Sequence, residues 1–180
     1  MIGMRAFWLT LKDRRLRAVM KARKAAGPAR GDLAAEPGRA GELLGPTQEA
    51  LRLAAVAGGP EASAAARAAA ADFAALLEKA FSDMALHGVK PDAAMTEALG
   101  CAQRACTLAP RLLSPSGRTW GAASARALCA AGRKALSQAS AAARSDVAGF
   151  PANLKFCSIY SGLDGALDAL QRCCEALFGI

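Results

Sequence analysis

The sequence predicts an all-α fold, and three observations carry the prediction. Of 180 residues, 47 are alanine and 22 are leucine, both strong helix formers. Valine and isoleucine together number 7, too few to stock the strands of a sandwich, barrel or parallel sheet. In the long stretch 61–87, which has no internal glycine or proline, Phe73, Leu76, Leu77, Phe81 and Met84 recur at three- and four-residue steps and form one apolar stripe. The hydrophobic fraction of 53% overstates the apolar content, because so much of it is alanine. A core of leucine and alanine with few aromatics requires helices that approach closely.

The elements follow in order. Residues 4–25 read as a helix, with Phe7, Trp8, Leu11, Leu16, Val19 and Met20 among basic side chains. Residues 26–46 hold five glycines and three prolines and read as a linker. A short helix over 47–57 ends at Gly58, Gly59 and Pro60, and helix 61–87 stops at Gly88. Pro91 suits the first turn of the next helix, which runs toward Leu99; Gly100 interrupts it, and a further helix or turn covers 101–113. Residues 114–117 form a turn. Thr119 then caps a helix over 120–135, which continues over 137–148 after a bend. Gly149, Phe150 and Pro151 break the chain, and 161–177 is the last amphipathic helix. The chain thus divides into a basic helix at 1–25, a linker at 26–46 and a helical domain at 47–180, with 4–25 also readable as the first helix of that domain.

Residues 1–30 carry nine basic side chains and one acid, a charge of +8, and the remaining 150 residues sum to zero. The high isoelectric point therefore describes an arm and not a basic domain, which argues against a nucleic-acid partner. The arm suits a first helix with a solvated face, peripheral contact with a membrane, or an organelle address. No apolar run is long enough for a transmembrane anchor. Arg5 and the basic cluster from Lys12 to Arg17 interrupt any secretory signal, so reduced thiols and a cytoplasmic location are expected.

The six cysteines, at 101, 106, 129, 157, 173 and 174, lack the paired spacing of a zinc site, and His87 is the only histidine. They read as small buried residues. An alternative is a bundle in which Cys101, Cys106, Cys129 and Cys157 converge on a soft metal such as copper(I). No nucleophile–base pairing and no phosphate loop appears, so no enzyme, no cofactor and no metal is expected. Asp164 and Asp168 share a helical face and read as surface charges without partners.

Three stretches, in order, resemble the Bcl-2 family of apoptosis regulators. Arg67 to Phe73, followed by Lys79-Ala80-Phe81-Ser82-Asp83-Met84, is similar to the BH-3 motif helix. Gly117-Arg118-Thr119-Trp120-Gly121-Ala122 resembles the BH-1 motif, and Ser161-Gly162-Leu163-Asp164-Gly165-Ala166 the BH-2 motif. The 43 residues from Trp120 to Leu163 leave room for the two-helix hairpin that separates these motifs in the family. The resemblance covers about residues 61–175 and includes no BH-4 motif. It implies a Bcl-2-like bundle, with 120–135 as the central helix wrapped by amphipathic helices.

It also implies a groove that receives the amphipathic BH-3 helix of a partner. The implied lining is Phe81, Met84, Leu99, Leu108, Leu112 and Leu128, with Thr119, Trp120 and Gly121 from the BH-1-like stretch. The family's arginine after Trp-Gly is replaced by Ala122, and Arg126, one turn on, is the candidate to supply the charge. Ala66 and Ala71 stand where the anchoring Leu and the Asp of BH-3 belong, and alanine buries little area. That favours a receiver of BH-3 helices over a ligand. The resemblance further implies a divergent viral suppressor of host cell death that sequesters Bax, Bak and BH-3-only proteins in the cytoplasm or at the mitochondrial surface. Against it stands a generic helical interaction protein with residues 1–30 as an address.

Overall fold

The computed structural model of the chain describes residues 60–108, 118–146 and 149–178. They form four helices: α1 (Pro60–His87), α2 (Ala93–Leu108), α3 (Arg118–Ser145) and α4 (Phe150–Phe178). No strand occurs among the described residues, in keeping with the all-α prediction. The expected helix over 4–25, the linker, the short helix over 47–57 and the turn at 114–117 lie outside them.

Pro60 is the first residue of α1, where its missing N–H and fixed φ cost nothing. The helix stops as expected at Gly88, the one described residue with positive φ (61°). Gly88 N–H donates to the Ala85 carbonyl (3.2 Å) and Val89 N–H to the Met84 carbonyl (2.9 Å), the paired bonds of a Schellman stop. Val89 folds back onto the core beside Met84 and completes the motif.

Helix α2 is one element where two were expected. It begins after Asp92, not at Pro91, because Asp92 Oδ1 accepts the Met95 N–H (2.8 Å) and Asp92 O accepts the Thr96 N–H (2.9 Å). It runs through Gly100 without interruption. Asp92 Oδ2 also accepts a short hydrogen bond from the Tyr160 hydroxyl, which ties the start of α2 to α4.

Helix α3 is likewise one continuous element through 136, and it starts at Arg118, so Thr119 lies inside the first turn. Helix α4 begins at Phe150, eleven residues before the expected start. Pro151 sits in its first turn, a position proline favours, and does not break the chain. The break falls just before it, at the α3–α4 corner. There Asn153 Nδ2 donates to the carbonyls of Ala143 (3.1 Å) and Asp146 (3.5 Å) and to Asp146 Oδ2 (3.1 Å), while Asp146 Oδ1 accepts the Gly149 N–H (3.2 Å). These bonds satisfy α3 carbonyls that have no partner within the helix.

The core follows the predicted stripe and extends it. Helix α1 buries Ala66, Ala69, Phe73, Leu77, Ala80, Phe81 and Met84. Of the ten largest fully buried side chains, α4 supplies Ile159, Leu163, Leu167 and Leu170; α1 supplies Phe73, Leu77 and Met84; α2 supplies Met95 and Leu99; and α3 supplies only Leu136. At about 1.5–3 kcal/mol for each large side chain taken from water, α4 carries the largest share of the apolar stabilisation. It is also the one helix that packs on all three others.

Among the described residues the centre is therefore α4, and the expected central helix, 120–135, belongs to a helix that packs only on α2 and α4. The reason is its sequence. From Ala122 to Ala143, α3 holds just two large apolar side chains, Leu128 and Leu136, too few to fill a buried environment on every side.

Gly132 sets how closely α3 seats. A Cβ there would stand 2.8 Å from Leu167 Cδ1, 3.3 Å from the Ala98 backbone and 3.3 Å from Cys101 Cβ, whereas a Cβ at Gly100 would meet nothing within 4 Å. Gly132→Ala should destabilise the fold by about 1–2 kcal/mol, as overpacking outweighs the gain in helix propensity. Gly100→Ala should stabilise it by about 0.5–1 kcal/mol. Urea unfolding followed by circular dichroism checks both; equal effects of the two substitutions would contradict this packing.

Candidate functional site

The outer surface of the α3–α4 pair carries most of the ordered polar contacts between helices. Arg133 on α3 donates from Nε to Asp164 Oδ1 (3.1 Å) and from Nη1 to Asp168 Oδ1 (3.0 Å), both on α4. Asp168 Oδ2 also pairs with Arg172 Nε (3.3 Å), and Arg172 Nη2 reaches Asp72 Oδ2 on α1 (3.4 Å). One chain of charges thus crosses three helices. Asp164 and Asp168, expected to be unpartnered, share an arginine. The guanidinium of Arg133 is held further in its charged form, first by the hydrogen bond it donates to Asp164. These side chains are 38–54% exposed, so each pair contributes little on its own and the set fixes register more than stability.

Beside this lattice a groove of about 760 Å³ runs between α3 and α4. Arg133, Asp164 and Gln171 lie along it with Tyr160 and Ser161, while Lys134, Ser137, Ala141 and Arg144 follow one another along α3 at three- and four-residue steps. Among the described residues neither Lys134 nor Arg144 has an acidic partner. Sequence reasoning missed this stripe because it was searching α3 for apolar residues. The spacing was there to be read. The partners of Arg133, more than thirty residues away on another helix, were not.

The residues expected to line a ligand groove fall into three groups. Phe81, Met84 and Leu99 are closed into the core at 6% exposure or less, so they offer no surface. Leu108 sits at the core's edge (9%), Gly121 is buried, Leu128 is half-buried, and Arg126 is exposed. Leu112 lies outside the described residues, as do the side chains of Thr119 and Trp120, whose backbone belongs to α3. Arg126 Nε donates to Glu175 Oε1 at 3.3 Å, with Glu175 also held by Gln171 (3.0 Å).

The family-like stretches have their own places. Gly162 and Gly165 lie against α1, where a Cβ would stand 3.5 Å from Ala80 Cβ and from Leu76 Cδ1 respectively. Leu163 and Ala166, each next to one of these glycines, are buried. This BH-2-like stretch sits in the middle of α4, so Trp120 and Leu163 are separated by α3, one tight corner and the first half of α4.

Five of the six cysteines, Cys101, Cys106, Cys129, Cys173 and Cys174, are buried; Cys157 is half-buried, and all six are free thiols. Among the described residues no group of three or more His, Cys, Asp or Glu side chains is placed to hold a metal ion, so the convergence that the soft-metal alternative requires is not met. Arg104 Nη2 lies 3.3 Å from Cys101 Sγ. Burial pushes the Cys129 and Cys173 thiols up to about 12 and raises Cys106 and Cys174 as well. No helix among the described residues is long and apolar enough to cross a membrane.

In the folded chain these four thiols keep their protons at a pH where unfolded thiols have lost theirs. Their contribution to stability is complete below the ordinary thiol value of 9.0 and falls away as pH rises toward 12. Urea unfolding should therefore show a decline above pH 9 of up to about 1.4 kcal/mol per pH unit for each thiol. At pH 8 a thiol-specific reagent should modify Cys157 rapidly in the native chain and all six only after denaturation; rapid native labelling of Cys129 or Cys173 would contradict this burial.

No family model, no curated protein and no solved structure matches the chain.

Proposed function

We propose that the chain is an anti-apoptotic, Bcl-2-like protein of viral type. It receives the amphipathic BH-3 helices of pro-apoptotic proteins such as Bax, Bak and the BH-3-only ligands, in the cytoplasm or at the mitochondrial surface. The basic arm gives peripheral membrane contact. With Phe81, Met84 and Leu99 enclosed, the receiving surface contracts to the end of α2 and the first half of α3. Leu108, Leu112, Thr119, Trp120, Gly121 and Leu128 provide its apolar and close-approach positions, and Arg126 its charge.

The observation that supports this reading best is Arg126. It stands on α3 one turn after Ala122, it is 55% exposed, and its carboxylate partner, Glu175, is itself partly exposed. A surface pair of this kind contributes at most about 1 kcal/mol. The acid of an incoming helix can displace Glu175 at little cost, in a setting where the ligand's own apolar face excludes water and strengthens the new pair.

Titration of the full chain with a panel of BH-3 peptides tests the reading, and no binding up to about 100 μM would sink it. Arg126→Ala should weaken binding by more than about 0.5 kcal/mol, since it leaves the ligand acid unpaired. Glu175→Gln should leave affinity unchanged or raise it by a few tenths of a kcal/mol, because it removes a competitor for Arg126. A loss of affinity in Glu175→Gln would show that Arg126 is not the ligand's partner.

A further inference from the structure

We infer that the groove between α3 and α4 is a second recognition site, which takes a carboxylate-bearing helical segment of a partner protein. The inference is independent of the BH-3 reading, because it rests on Lys134 and Arg144 and not on Arg126.

Charge complementarity comes first. The groove's three cations are Arg133, Lys134 and Arg144, and its acid is Asp164. Arg133 is fully engaged by Asp164 and Asp168. That leaves two exposed cations with no ion pair among the described residues. Ten residues apart on a helix, they stand about 15 Å from each other, too far to share one carboxylate or phosphate. A helix with glutamates at four-, three- and four-residue steps spans about 16 Å on one face and matches both ends.

Shape comes second. Between the two cations α3 presents Ser137, Ser140 and Ala141, with Ala130 beyond, and all line the groove. Small side chains let another helix backbone approach, and the two hydroxyls can hydrogen-bond an anionic side chain that the cations have drawn in.

The same observations disfavour other polyanions. Single-stranded nucleic acid binds by stacking bases on aromatic rings, and the groove's one ring, Tyr160, is 6% exposed with its hydroxyl given to Asp92. A bilayer is broad and flat, whereas the site is concave. Among the described residues the exposed large apolar side chains, Leu86 and Leu154, lie on different helices and form no wedge for insertion.

Fluorescence anisotropy on the full chain at low salt tests the site. The probe is a labelled helical peptide with glutamates at those steps on one face and alanine and glutamine elsewhere. Lys134→Glu with Arg144→Glu should weaken binding about tenfold or more, and the milder Lys134→Ala with Arg144→Ala should weaken it in the same direction. Lys90→Glu with Lys155→Glu makes an equal change in net charge at exposed positions outside the groove and should alter affinity less than about twofold. Equal weakening by both glutamate pairs would assign binding to bulk charge and overturn the site. So would equal affinity for the peptide with glutamine in place of glutamate. Tighter binding of an oligothymidylate or of phosphatidylserine vesicles, lost in the groove variants, would overturn the choice of a protein partner.

Discussion

The structure depends on one constraint: α4 must touch three helices at once, so its neighbours must come close to it. The solution is contact through small residues. Gly132 lets α3 lie against both Leu167 and the Ala98–Cys101 turn of α2, while Gly162 and Gly165 face Ala80 and Leu76 of α1 with room for an ordinary contact. Close approach brings the large side chains that do exist, Ile159, Leu163, Leu167 and Leu170, into full contact. An alanine-rich chain thus builds its core on a few leucines with little aromatic bulk beyond Phe73, Phe81 and Tyr160. The arrangement is sensitive, because a contact made by a missing side chain has nothing to give when one is added.

The helical class, the α1 stripe and the stop at Gly88 were legible in the sequence because each is local. Stripe residues sit within one helix face, and a glycine at a Schellman stop acts through its own φ. What was not legible depended on neighbours. Gly100 read as an interruption because glycine weakens an isolated helix by about 1 kcal/mol, yet it lies in the middle of a helix whose Met95, Ala98, Leu99, Cys101 and Ala102 are all buried. Pro151 read as a breaker because the sequence does not say on which side of a proline the helix lies. The ion pairs of Arg133 were invisible for the same reason, as they join residues on different helices.

The family-like stretches illustrate how much packing alone can dictate. The glycines of the BH-2-like stretch face α1, its leucine and alanine are core, and its Asp164 holds Arg133. In the BH-3-like helix Phe73 is core and Asp72 pairs with Arg172. Each of these letters has a structural task that any bundle of this geometry would set. They therefore weigh equally for a helix-receiving protein and for a helical protein of another kind. Arg126 is different. Its side chain is 55% exposed and its one acidic partner, Glu175, lies at the surface, so its behaviour toward a ligand carries information that the buried letters cannot.

The distribution of apolar surface also shapes what recognition by the described helices can be. The core has taken nearly every large apolar side chain, and the two left exposed, Leu86 and Leu154, are isolated. A partner that docks on α3 therefore meets a surface of alanine, serine and cations. Binding on such a face gains little from area and much from charge placement. It should be steered, selective for the spacing of acids, and weakened by salt within the screening range of exposed pairs. The basic character that composition assigned to residues 1–30 is thus not confined there: α3 carries a smaller positive feature that net charge conceals, because Arg133 and its aspartates cancel while Lys134 and Arg144 do not.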